Sequence, residues 1–202
     1  MTQKSKRQQQ REQFKKQRAR QRLLNNVIIA AVVVAALGIF VAMFRDTNRA
    51  DIGEAILAEG EVNHVDPGTD VEYNSNPPTS GSHYDQPMNA GFYEDGSIET
   101  QVPFPESHIV HSLEHGYVVI WYNCDVLETA AACDELKDQV RTVMDRYNNL
   151  KIIAFPWHSI EVPLAMTSWE RLLLFESFDA ELVGQFIEAN RSNPRAPEPN
   201  VP

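Results

Sequence analysis

Eighteen consecutive residues without a charge, Val27 to Phe44, constrain this chain more than any other feature of its sequence. With the preceding Leu23-Leu24-Asn25-Asn26, a helix over residues 23–44 reaches ~33 Å at ~1.5 Å per residue, enough to cross a hydrocarbon core of about 30 Å. A signal peptide is the competing reading. Its apolar region runs only ~7–15 residues and ends at a small-x-small cleavage site. Here the run ends in Val41-Ala42-Met43-Phe44-Arg45 without such a site, so an uncleaved transmembrane helix is expected.

The charge on either side of this span is divided unevenly. Residues 1–22 hold nine of the 18 Lys and Arg and one acid, Glu12. The remainder holds nine basic against 27 acidic residues, a formal charge of −18. A basic cluster directly before an apolar span stays cytoplasmic, so residues 45–202 are expected outside a cell membrane that the chain crosses once. The lipid bilayer is then the first expected partner, with anionic inner-leaflet lipid at the basic tail. An unknown membrane protein is a further expected partner, and the acidic body argues against nucleic acid. Cys124 and Cys133, nine residues apart, are expected to pair in that oxidising compartment. Closing so short a loop contributes on the order of 2–3 kcal/mol in the chain-entropy model. A pair of soft metal ligands is the alternative for the two thiols.

Five segments are expected: a basic tail over 1–22, the span over 23–44, an acidic stalk over 45–72, an α+β domain over 73–190 and a disordered Pro-rich tail over 191–202. One short helix is expected in the stalk, around Ile52–Leu57. Turn formers crowd residues 73–106, among them Pro77-Pro78, Ser80-Gly81, Pro87, Gly91, Gly96, Pro103 and Pro105, so this stretch is expected to be irregular. Regular structure begins with two helical turns capped by Ser107 and stopped at Gly116. Tyr117–Tyr122 is a strand by composition. Glu128–Tyr147 is a helix with Leu136, Val140, Val143, Met144 and Tyr147 on one face. Strands over Lys151–Pro156 and within Leu164–Phe175 follow, then a helix from about Asp179 to Asn190 with Leu182, Val183, Phe186 and Ile187 on one face. The order strand, helix, strand, strand, helix predicts a small mixed sheet. A thioredoxin-like arrangement is among the folds it allows.

The chemistry concentrates in His108-Ile-Val-His111-Ser-Leu-Glu114-His115-Gly116, which holds three of the six histidines. On a helix His108, His111 and His115 share a face. Converging imidazoles make a metal site, a proton-handling site or a hydrogen-bond network.

Pro77-Pro78-Thr79-Ser80-Gly81-Ser82-His83, Gly91-Phe92-Tyr93, Val110-His111-Ser112-Leu113-Glu114-His115-Gly116 and Ala165-Met166-Thr167-Ser168-Trp169 resemble the bacterial family called domain of unknown function 3105, over about residues 73–190. The resemblance implies a membrane-tethered extracytoplasmic domain with a His-x-Leu-Glu-His-Gly segment. It implies no activity.

Three chemical readings stay open. Outside the cytoplasm copper is handled by His and Met, and thioethers select Cu(I). His83, Met88, His111, His115 and Met166 are the candidate ligands, with Glu114 and His108 as supporting groups and zinc as the alternative ion. In the second reading His111 and His115 pin the loop over 77–93 by donating to its carbonyls, Met88 and Met166 fill the core, and the domain binds a partner without catalysis. In the third, His111-Ser-Leu-Glu114-His115 matches the H-x-x-E-H of inverted zinc proteases, but Gly116 and a strand follow at once and no distant carboxylate ligand stands out. His64 and His158 are expected on the surface, and Trp121, Trp157 and Trp169 in the core or at its rim. There is no phosphate-binding glycine loop, no nucleophile elbow and no paired-carboxylate signature, and Ser112 is not part of a triad.

Overall fold

The computed structural model describes residues 28, 29, 31–36, 38 and 52–201. The chain divides between Arg49 and Ala50. The basic tail over 1–22, most of the expected span and the start of the expected stalk lie outside the described residues. Those described between 28 and 38 are helical, and Ile28, Ile29, Val32, Val33 and Val34 expose their side chains. No helix among the described residues is long and apolar enough to cross a membrane.

The second unit is α+β and is built on a mixed sheet. Its strands are β1 (Glu54–Ala55), β4 (Gly91–Phe92), β5 (Val118–Tyr122), β6 (Ile152–Pro156), β7 (Leu164–Ser168) and β8 (Arg171–Phe175), in spatial order β1-β8-β7-β5-β6-β4. β5 and β6 are parallel, as are β4 and β6, while β7 is antiparallel to both β5 and β8. A separate parallel pair joins β2 (His64–Val65) to β3 (His83–Tyr84). Three helices accompany the strands: α1 (Pro105–Glu114), α2 (Ala130–Arg146) and α3 (Ala180–Asn190).

β5 and β6 are buried on both faces, which explains their unbroken apolar composition. Their side chains alternate between two cores. Val118, Ile120, Tyr122, Ile152 and Ala154 meet Leu136, Val140, Val143 and Met144 of α2 and Val183, Phe186 and Ile187 of α3. Val119, Trp121, Ile153 and Phe155 meet Ile109, Val110 and Leu113 of α1 on the opposite face. The helix that carries the histidines therefore has one side of the sheet nearly to itself. Trp121 lies in this second core and donates its indole N–H to Thr167 Oγ1, 2.8 Å away. Trp169 packs there too, and Trp157 lies against its edge.

Several expectations need correction. Leu164–Phe175 is a hairpin rather than a single strand: Glu170, at φ 58°, reverses the chain between β7 and β8 without the glycine that ordinarily advertises such a turn. Ile52–Leu57 is not helical. Gly53 has φ 100°, outside the helical region, and the segment pairs with β8 as β1. Residues 52–72 are thus part of the domain, with Ile56 and Val62 packed on the second core. Ser107 does not cap α1. Phe104 is the cap and Pro105 opens the helix, while Ser107 is buried one turn in, its hydroxyl 3.0 Å from Tyr73 Oη. The expected stop at Gly116 is found, at φ 78°.

The Pro-rich tail is not disordered. Ser192 N–H donates to Gly116 O at 2.8 Å, and Glu198 N–H to Glu114 O at 3.0 Å. Lys151 Nζ, 2.9 Å from both His115 O and Pro199 O, ties the tail to the end of α1. Composition argued for disorder, but these bonds need only backbone groups and one lysine. Cys124 and Cys133 form the expected disulfide, with Cα atoms 5.2 Å apart, joining the loop after β5 to the first turn of α2.

Leu113 links α1 to the sheet and is fully buried. Leu113→Ala is expected to lower unfolding free energy by about 3 kcal/mol, read from the denaturant midpoint. A loss below about 1 kcal/mol would contradict the docking of α1 described here.

Candidate metal centre

Four imidazoles and one carboxylate converge beside α1. Helical spacing puts His111, Glu114 and His115 together, and the β2–β3 pairing supplies the rest. In that pair His64 stands directly opposite His83, and α1 packs against β3. The His64 and His111 rings stack at 4.9 Å, and the His83 ring lies edge-on to both, at 4.9 and 5.0 Å. One ligand nitrogen from each of His64, His83 and His111 lies within 4.8 Å of the others, and so do the ligand atoms of His111, Glu114 and His115.

The hydrogen bonds decide which nitrogen each ring presents. His83 Nδ1 is 2.8 Å from Gly81 O, and His111 Nδ1 is 2.7 Å from Tyr84 O. A carbonyl only accepts, so both rings carry their proton on Nδ1. His64 Nδ1 faces Asp85 Oδ1 at 3.2 Å in the same way. Three rings thus turn their N–H outward and their Nε2 inward. Metal-binding histidines are held in this manner, with one nitrogen fixed by a carbonyl or carboxylate and the other left as a lone pair.

The inward atoms are crowded. His83 Nε2 lies 3.0 Å from Glu114 Oε2, and His64 Nε2 lies 3.7 Å from the same oxygen. His111 Nε2 and His115 Nε2 are 3.1 Å apart. A lone pair and a carboxylate oxygen at such a distance need a proton or a cation between them. Protonation is opposed by burial, which holds His83 below its ordinary pKa even though Gly81 O and Glu114 pull the other way. Burial, reinforced by His111, lowers His115 as well. The Nδ1 of His115 is buried without a partner. Ligand atoms around an ion with ~2.0–2.1 Å metal–nitrogen bonds stand roughly 3.3 Å apart in a tetrahedron, a value bracketed by these contacts.

The structure brings His83, His111, His115 and Glu114 together. Met166 is not with them. It is fully buried beside Ile120 in the core under α2 and α3, so the sheet separates it from α1. Met88 packs with Ile109, Val110 and Leu113, its backbone N–H shared between Ser112 Oγ and His108 O. His108 stands aside from the cluster and pins the loop, Nδ1 donating to Gln86 O at 2.6 Å. Of the two residues the latch reading named, His111 donates to Tyr84 O while His115 faces His111 instead. Glu114, the proton-handling group of the hydrolase reading, faces His83 and His64. His158 is on the surface, as expected, between Asp125 and Asp95. Burial pulls its pKa down, but the two aspartates more than offset that and leave it raised.

His64 is the residue that sequence reasoning missed. Nothing in its neighbourhood marks it, since its role comes from pairing across 19 residues to His83.

The family described as Protein of unknown function (DUF3105) matches residues 64–202. This chain belongs to that family. The matched region of this DUF3105 protein starts at His64 and takes in the whole histidine cluster and the C-terminal tail. No curated protein and no solved structure matches the chain.

Lowered pKa values at His83 and His115 mean that the unfolded chain binds protons below about pH 6.5 that the folded chain does not. The stabilisation from keeping these rings neutral is present above that pH and is lost as pH falls below it. His158 acts in the opposite sense and is half-exposed, so its contribution is screened. The metal-free protein is expected to lose thermal stability from pH 7 to 5.5, and His83→Gln is expected to flatten that dependence. Parallel pH profiles for the two proteins would contradict it.

Proposed function

We propose that this DUF3105 protein holds one transition-metal ion on an extracytoplasmic domain tethered by a single N-terminal membrane span. His64, His83 and His111 are the proposed ligands, with His115 and Glu114 completing the donor set. One observation carries the reading: His83 and His111 donate Nδ1–H to backbone carbonyls outside the cluster, His64 turns its Nδ1 to Asp85, and the three aim their remaining nitrogens at one another and at the partly buried carboxylate of Glu114. The ion is the group that satisfies all of them together.

The donor set consists of imidazole and carboxylate. With Met166 on the far side of the sheet and Met88 packed among Ile109, Val110 and Leu113, the thioether argument for Cu(I) loses its support. Copper remains the favoured ion, now as Cu(II), because nitrogen and oxygen sites bind it more tightly than other divalent first-row ions. Zinc(II) suits the same ligands. The tether rests on sequence: an uncharged run long enough to span, a basic segment before it, and a disulfide that belongs to oxidising compartments. Anionic inner-leaflet lipid is the proposed neighbour of residues 1–22.

A second reading has its own observation. His108 and His111 of α1 donate to the carbonyls of Gln86 and Tyr84, which latches the loop to α1 with or without an ion. The latched loop would then serve as a surface for a membrane protein partner.

Metal content separates the two. Full-length protein purified without a polyhistidine tag and offered Cu(II) or Zn(II) is expected to retain about one ion per chain by mass spectrometry. His83→Ala/His111→Ala is expected to retain less than a tenth of that. An ion-free parent protein, or equal metal in parent and double variant, would overturn the metal reading and leave the latch.

A further inference from the structure

The C-terminal tail ends against the histidine cluster, and it brings a carboxylate. Glu198 Oε2 lies 3.5 Å from His115 Nε2, the nitrogen that also faces His111 Nε2. That spacing is close to the ~3.3 Å between neighbouring ligand atoms in a tetrahedral shell. The Glu198 side chain is 55% exposed, so it can rotate toward an ion without unpacking anything.

The tail is seated by contacts that converge on the end of α1. Glu198 N–H donates to Glu114 O, and Ser192 N–H to Gly116 O. Lys151 Nζ bridges His115 O to the carbonyls of Pro199 and Val201. Gly116 leaves room for the tail to lie there, since a Cβ at that position would stand 3.0 Å from Ser192 Cα and 3.2 Å from Pro199 Cα. Every one of these bonds is made to His115 or to a residue beside it, apart from the Lys151 bridge that ties the two together. The tail's position and the position of His115 are therefore set by the same contacts.

We propose that Glu198 is a further ligand of the ion, delivered by the C-terminal tail, so that metal binding and tail docking reinforce each other. The inference rests on the metal reading above and adds a regulator to it. Coupling of this kind is reciprocal: the ion tightens the tail by the factor with which the docked tail tightens the ion. Anything that lifts residues 192–201 weakens the hold on the metal, and loading the metal hides the tail from a partner or a protease.

The test compares the full-length parent with Glu198→Gln, which keeps the size and hydrogen-bonding capacity of the side chain but is a poorer ligand. Zn(II) and Cu(II) affinities are measured by competition with a chromophoric chelator, and tail exposure by the rate of carboxypeptidase digestion with and without ion. The parent is expected to bind one ion, which slows digestion about tenfold. Glu198→Gln is expected to bind ~10–100-fold more weakly, within the range for losing a group that supports a metal site, and to melt at an unchanged temperature when metal-free. Gly116→Ala, which crowds the tail away from α1 while removing no ligand side chain, is expected to weaken binding to a similar degree. A parent that binds no ion overturns the metal reading and this inference together. A parent that binds metal, with affinity and digestion unchanged in Glu198→Gln, overturns this inference alone.

Discussion

Two imidazole–carbonyl hydrogen bonds, His83 Nδ1–H to Gly81 O and His111 Nδ1–H to Tyr84 O, hold together the part of the molecule where chemistry is concentrated. The segment they pin is rich in proline and glycine and has little regular secondary structure in which to satisfy its backbone. Buried carbonyls without partners are costly, and the imidazoles supply the missing donors. The same two bonds fix Nδ1–H on both rings and so turn Nε2 toward Glu114 and His115. Folding the loop and preparing a cation site are therefore one event. Removing either histidine disturbs both.

The sheet serves this arrangement as a rigid support. α1 buries Ile109, Val110 and Leu113 against β5 and β6, and this fixes the helical face that carries His111, Glu114 and His115. α2 and α3 occupy the opposite face with a larger apolar cluster. The disulfide lies at the start of α2, at the other end of β5 from α1, so it supports the scaffold without entering the site. A cluster held on a docked helix, a short strand pair and hydrogen-bonded carbonyls changes shape little when a ligand arrives. The exceptions are the two partners with freedom to move, half-exposed His64 and Glu198.

Much of this was legible in the sequence, for identifiable reasons. The apolar stripes of α2 and α3 are local periodicities, and the structure buries Leu136, Val140, Val143, Met144, Val183, Phe186 and Ile187. β5 and β6 announce themselves by continuous apolar composition. His111, Glu114 and His115 share a helix face by spacing alone. What was not legible depends on pairing at a distance. His64 reaches the cluster through β2–β3 pairing, and Glu198 through backbone bonds to α1 that composition does not encode. Met166 resembled a ligand by residue type, but the alternation of β7 places it on the wrong face of the sheet. The β7–β8 hairpin was hidden because a glutamate, Glu170, occupies the left-handed turn position.

The central claim is that His83 and His111 hold Nδ1–H on backbone carbonyls and present Nε2 to an ion. Nitrogen-15 NMR of the histidine rings, recorded on the metal-free protein near pH 7.5 and again after one equivalent of Zn(II), tests it most directly. The account predicts Nδ1–H tautomers for both residues before metal, and a shift of both Nε2 resonances that is complete at one equivalent. Nε2–H tautomers, or ring spectra unchanged by zinc, would contradict it.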